Sequence, residues 1–234
     1  MRCGGRGEPV RPADQSRVRR HRDSKRLIRG PLVPLAWRRA AASEPAGESM
    51  SSLAIEYGSH DRVQTLIDRL TFCVEHVSVE FGGWEQTHVK GPGLYFAVVA
   101  DREYGAYADP MGDNRWPRDR CRSAFDEDAF IETAETVSVE QDGGIVVAVD
   151  GEIEAQMVRF RDLGTRSGEA DLFDDVAYEP WMGSRHMSAI ETSVRPEVVA
   201  TVTLSEETGR VSVFRDGRAE STIRAEIGGP WRGK

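Results

Sequence analysis

From Asp61 to Val79, the apolar residues Val63, Leu66, Ile67, Leu70, Val74 and Val77 recur at spacings of three and four, the period of a helix with one buried face. The pattern then changes. Gly82, Gly83 and Gly91-Pro92-Gly93 punctuate the chain, and LYFAVVA at 94–100 is a continuous β-branched and aromatic run that predicts a buried strand. ADPMGDNRWP at 108–117 carries proline and glycine at turn positions and predicts a loop. Helical period returns at 124–139, where Ala124, Phe125, Phe130, Ile131, Ala134 and Val137 share a face. Asp126 and Glu127 there suit the positive end of a helix dipole.

QDGGIVVAVDGEI then leads from Gly143-Gly144 into a β-branched run and turns out through Asp150-Gly151 into EAQMVRF, a hairpin signal. Residues 161–182 are polar, acidic and irregular and read as a loop. MSAIETSVRPE at 187–197 predicts a short helix ended by Pro196. VVATVTLS at 198–205 and VSVFRDGRA at 211–219 predict strands, with turns at Thr208-Gly209 and Asp216-Gly217. This alternation predicts an α/β domain with a mixed central β-sheet flanked by helices. There is no internal repeat.

Charge divides the 234 residues in two. Residues 1–49 hold 11 arginines and Lys25 against five acids, whereas the remainder holds 19 basic and 34 acidic residues. A proline-containing basic stretch with few periodic apolar positions reads as a disordered arm, 1–49, joined to an acidic globule, 50–234. The run RVRRHRDSKR at 17–26 would attract nucleic-acid phosphates. A targeting peptide is a second reading, which the five acids and the Gly/Pro-rich stretches fit poorly, and upstream sequence translated from an early start is a third and the favoured one, since Met50 opens like an ordinary N-terminus. The globule's own acidity repels nucleic acid and fits a halophilic source. It also requires any phosphate site to be built from a few placed donors. No apolar run approaches the roughly 20 residues of a membrane span, so the expectation is a soluble protein without membrane contact. Cys3, Cys73 and Cys121 are scattered and lack metal spacing, which fits a reducing cytoplasm.

Three short stretches carry candidate chemistry. Asp142-Gly143-Gly144 enters a strand, where glycine admits a ligand to the backbone and the acid can hold a metal or accept a proton; the same dipeptide is also a common turn. Gly183-Ser184-Arg185-His186 stands at a helix start, where amides, hydroxyl and guanidinium converge on an anion; a plain N-cap Ser184 with a solvated Arg185 is the simpler reading. Ser205-Glu206-Glu207-Thr208-Gly209 follows a strand, and its acids suit Mg²⁺ or Mn²⁺ or simple solvation.

The order of these stretches resembles the diadenylate cyclase domain, a family that includes the DNA-integrity scanning protein and membrane-linked bacterial cyclases. That family carries Asp-Gly-Ala, Gly-Thr-Arg-His-Arg and Ser-Glu-Glu-Thr-Gly motifs, the last followed by a short strand ending in Asn-Gly-Arg or Asn-Gly-Lys. The likeness covers 140–220 well and 94–139 loosely. Gly144 stands where the family usually has alanine, and Met187 where the second arginine is expected. A divergent archaeal branch would fit both changes and the acidic surface.

The resemblance implies condensation of two ATP molecules into cyclic di-AMP with release of two pyrophosphates, across facing sites of a homodimer or a higher even oligomer. It implies Mn²⁺ or Mg²⁺ as cofactor, with Asp142 and Glu207 as metal ligands. Asp142, Arg185 and His186 would be catalytic. Gly143, Leu163, Ser184, Arg185, His186, Ser188 and Ser205 would bind the nucleotide, Leu163 through the adenine. A non-catalytic nucleotide or cyclic di-AMP sensor of the same fold is the alternative.

Overall fold

The structure is a computed structural model and describes residues 57–164 and 168–228. The basic arm at 1–49 and the boundary at Met50 lie outside the described residues. After a short 3₁₀ turn, α1 spans Asp61–Glu80, with its N-terminus capped by His60, whose Nδ1 accepts from the Arg62 amide at 3.3 Å. All six apolar positions predicted to share its inner face are buried. The following elements are β1 (Leu94–Val99), β2 (Ala108–Arg115), α2 (Glu127–Glu140), β3 (Ile145–Ala148) and β4 (Gln156–Phe160). The chain then forms α3 (Ser184–Ser193), β5 (Val198–Leu204), β6 (Val211–Arg215) and β7 (Arg218–Thr222).

Five strands form a mixed sheet in the order β3-β1-β5-β6-β7. β1 pairs parallel with β3 and antiparallel with β5, and every one of its side chains is buried. Its alternation assigns two faces. Leu94, Phe96 and Val98 pack with α1 and α2, while Tyr95, Ala97 and Val99 pack with Ala189 and Ile190 of α3. The protein is therefore an α/β domain whose sheet lies between two helices on one face and a third on the other, as the alternation of elements predicts.

Four local expectations change. The stretch at 108–117 is not a loop. Residues 108–115 form β2, which pairs antiparallel with β4 through a ladder interrupted between Pro110 and Arg115. Pairing with β4 supplies backbone partners to a segment whose side chains are mostly exposed, so its composition resembles a loop. The predicted hairpin of β3 and β4 is correspondingly loose: β4 pairs chiefly with β2, and it touches the β3 side of the hairpin through isolated bridges, Val158 of β4 with Gly144 before β3 and Ile153, ahead of β4, with Val147. α2 begins at Glu127, so the buried Ala124 and the partly buried Phe125 precede it. Residues 211–219 are not one strand but the β6-β7 hairpin, reversed at Asp216-Gly217, both with positive φ.

The Gly144 bridge joins the two-stranded ribbon to the main sheet beside Asp142. The Gly144 amide donates to the Val158 carbonyl at 2.7 Å and the Val158 amide returns the bond at 2.9 Å. A Cβ on Gly144 would lie 2.5 Å from the Phe160 ring. The space that alanine would fill at this position is thus taken by an aromatic side chain. Gly144→Ala is expected to destabilise the domain by about 1–3 kcal/mol through overpacking, read as a lower denaturant midpoint. An unchanged midpoint would mean that Phe160 moves freely aside.

Candidate functional site

The C-terminal end of β5, the start of α3, the turn before β3 and strand β4 surround a cleft of about 500 Å³, a size usual for small-molecule sites. Asp142, Gly143, Ser184, Arg185, His186, Ser188, Ser205 and Glu207 all line it. The three stretches singled out in the sequence therefore meet on one surface. Leu163 does not join them. It is 5% exposed, with its amide directed at Glu191 Oε2 at 3.4 Å, and lies off the cleft.

α3 starts earlier than its apolar pattern predicts. Gly183 is the N-cap and Ser184 the first helical residue, so Ser184 does not cap the helix with its side chain. Gly183 is extended, and its amide donates to His186 Nδ1 at 3.4 Å. Ala189 and Ile190 anchor the other face of α3 on the sheet, and Thr201 Oγ1 of β5 donates to the Ala189 carbonyl at 2.9 Å.

Arg185 occupies the centre. Its Nη2 lies 3.0 Å from Glu206 Oε2 and 3.8 Å from Asp142 Oδ1, and its Nη1 is 3.5 Å from the Leu204 carbonyl. Lys90 Nζ reaches the same Glu206 oxygen at 3.0 Å. Burial opposes ionisation of Glu206, but hydrogen bonds from Lys90 and Arg185 outweigh it and hold the carboxyl below the usual range. The Gly91-Pro92-Gly93 segment packs close against this pair: a Cβ on Gly93 would lie 2.8 Å from Arg185 Nη1, and one on Gly91 2.6 Å from the Glu206 carbonyl. These glycines, read from sequence only as punctuation, are sites of close approach.

Asp142 is exposed at the turn before β3. Its Oδ1 accepts from the Gly143 amide at 3.0 Å, and its carbonyl accepts from Asn114 Nδ2 at 2.6 Å. Gly143 has φ of +117° and faces the Val158 carbonyl and Met111, so a side chain there would be both strained and crowded. Across the cleft, Ser205 is 7% exposed, and its Oγ accepts from the Thr208 amide at 3.4 Å. Gly209, with φ of +65°, closes this turn against α1, where Ser78 Oγ donates to its carbonyl at 2.7 Å.

His186 is 6% exposed, with Trp181 edge-on at 5.0 Å. Burial, followed by the positive charges of Arg185 and Arg210, lowers its pKa to about 4. The ring is neutral at ordinary pH. Because Nδ1 accepts a hydrogen bond, the proton belongs on Nε2, which is buried without a hydrogen-bond partner. Arg210 also lines the cleft, with its guanidinium carbon 4.5 Å from the centroid of Trp181.

The cleft thus collects Lys90, Arg159, Arg185 and Arg210 among the acids Asp142, Asp162, Glu206 and Glu207. Sequence reasoning missed Lys90, Arg210 and Trp181, although each adjoins a stretch it singled out. Among the described residues, no group of three or more His, Cys, Asp or Glu is arranged to hold a metal ion. Asp142 and Glu207 nonetheless offer hard oxygen donors on the cleft, a set that suits Mg²⁺ or Mn²⁺ completing its coordination from phosphate and water.

No family model and no curated protein matches the sequence. Several solved structures are distantly similar, two of them as follows. A hypothetical membrane-spanning protein from Bacillus cereus matches at 18% identity over 66% of this chain and 62% of that one, with a TM-score of 0.44. The match thus spans less than two thirds of the Bacillus chain. A double mutant of DacA from Staphylococcus aureus matches at 18% identity over 73% of this chain and 97% of that one, with a TM-score of 0.41. Among the described residues, no helix is long and apolar enough to cross a membrane.

The neutral His186 carries a pH consequence. Its folded pKa lies below the ordinary value of 6.5. The unfolded chain therefore takes up the proton first as pH falls, and the folded state loses stability between pH 6.5 and about 4. The loss expected from this one group is on the order of 3 kcal/mol. Thermal unfolding of the wild type against His186→Gln tests it: the difference in Tm should narrow as pH falls through this window. A difference independent of pH would assign His186 no buried neutral state.

Proposed function

We propose that this chain is a diadenylate cyclase, which joins two ATP molecules into cyclic di-AMP and releases two pyrophosphates. The observation that carries the reading is the convergence of Asp142-Gly143, Gly183-Ser184-Arg185-His186 and Ser205-Glu206-Glu207 on one cleft, with Arg185 within 3.8 Å of Asp142 and 3.0 Å of Glu206. Three motifs remote in sequence, in the order of that family, meet where a triphosphate would need them.

In this reaction the 3′-hydroxyl oxygen of one ATP attacks the α-phosphorus of the other. A new O–P bond forms, the bond from the α-phosphorus to the bridging oxygen breaks, and pyrophosphate leaves with the electron pair. The Asp142 carboxylate takes or orients the hydroxyl proton. The Arg185 guanidinium exchanges Glu206 for phosphate oxygens, and the Ser184 amide and hydroxyl add donors at the positive end of α3. His186 donates from Nε2 without adding charge. Gly143 gives the nucleotide access to the backbone. A bound Mg²⁺ or Mn²⁺, held by Asp142 and Glu207, would supply polarisation of the α-phosphate and charge on the leaving group. Positioning and electrostatic stabilisation account for most of the catalysis expected of such a site.

A cleft of this size on a single domain takes one nucleotide, so the second ATP is presented by the facing site of another copy. The alternative of binding without turnover draws on Met187, which is 42% exposed and off the cleft where the family motif has a cation.

Incubation with ATP and Mn²⁺ or Mg²⁺, followed by mass detection, is expected to yield cyclic di-AMP. Asp142→Asn should lower the rate by about 10²–10⁴-fold with unchanged circular dichroism. Product formed undiminished by that variant removes Asp142 from the mechanism, and ATP bound without product selects the sensor. Sedimentation with ATP present is expected to show dimers or larger even assemblies. A monomer that remained active would rule out facing sites.

A further inference from the structure

The cleft's cations are unequally committed. Arg185 and Lys90 both bind Glu206, and Arg159 lies within electrostatic reach of Asp109. Arg210, half-buried just before β6, has no ion pair with any described carboxylate. Its Nη1 donates to Ser221 Oγ at 2.7 Å, and the face of Trp181 holds its guanidinium at 4.5 Å. Its backbone is also fixed: its carbonyl accepts from the Ser205 amide at 2.9 Å, and its amide faces Thr208 Oγ1 at 3.4 Å. A stacked guanidinium keeps its edge free for oxygen acceptors and loses little freedom on binding them. Beside it, the buried Nε2 of His186 is a donor with no partner. An oriented, unpaired cation and an orphaned donor on one wall of a cleft form an anion site.

We propose that Arg210 is the cleft's second phosphate-binding cation and takes the charge of the outer phosphates of a nucleoside triphosphate. The inference rests on the nucleotide reading given above. It explains how the site holds a triphosphate although position 187 is Met187, whose side chain faces away from the cleft. The cation comes from the turn before β6 and not from α3. Arg210 then distinguishes ATP from AMP, because only the former reaches it with phosphate.

Calorimetric titration of the full chain with ATP and with AMP, both with Mg²⁺, tests this. Arg210→Ala is expected to weaken ATP binding by about 10- to 100-fold and to leave AMP within about twofold. Arg210→Lys should recover part of the loss, since it keeps the charge without the planar fork. Equal weakening of both nucleotides, as collapse around Trp181 would cause, overturns the inference, and so does unchanged ATP affinity. ATP binding that depends on Arg210 in a protein making no cyclic di-AMP sustains the inference and overturns the cyclase reading. Product made by the wild type, with ATP affinity unaltered in Arg210→Ala, does the reverse.

Discussion

The cleft is organised around one guanidinium. Arg185 projects from the first turn of α3 and meets Glu206, two residues beyond the end of β5, at 3.0 Å, with the Leu204 carbonyl of β5 and Gly93 close beside it. Its placement follows from packing elsewhere. Ala189 and Ile190 fix α3 on the sheet, and the antiparallel register of β1 with β5 fixes where β5 ends. Both partners are only partly exposed, at 22% and 29%, so the pair is screened less than a surface salt bridge. The glycines at 91 and 93 are required by this approach, because a methyl group at either would strike the pair or its backbone.

The same pairing gives the cleft its character. The domain's acidity leaves no broad positive field, yet four cations line one cleft, each drawn in by nearby acids or rings. Glu206 holds two of them, Lys90 and Arg185, through one carboxylate oxygen. Under the nucleotide reading proposed above, an incoming phosphate replaces that carboxylate and the cations need not be reorganised. That is the economy of a preorganised site: the geometry is fixed before the ligand arrives, and the acid that fixes it is hydrated when displaced. A neutral His186 fits the same logic. Beside the positive charges of Arg185 and Arg210, a buried protonated ring would add a third.

Where a buried face set the pattern, the sequence was readable. α1, β1 and the apolar half of α3 emerge because their periods of 3.6 and continuous burial leave few alternatives. β2 was missed because its partner β4 satisfies its backbone while its side chains remain exposed, which is a loop's composition on a strand's frame. Ser184 was read one position out, because a glycine in extended conformation can cap a helix as its hydroxyl neighbour can. Of the candidate site, the three motifs were visible as chemistry and their order as a family resemblance. Leu163 falls off the cleft, and no periodic signal fixes side-chain direction in the irregular loop that carries it. Lys90, Trp181 and Arg210 were invisible for a different reason: each is an ordinary residue made relevant by folding.

Helix geometry explains why Met187 lies off the cleft. Successive helical residues turn by about 100°, so Ser184, Arg185, His186 and Ser188 span the arc facing the cleft, while residue 187 lies about 200° from Arg185 on the opposite side. The exposure of Met187 agrees with that direction. Met187 accordingly does not line the cleft. Arg210, on the turn before β6, does, because the β5-β6 connection ends on the cleft itself.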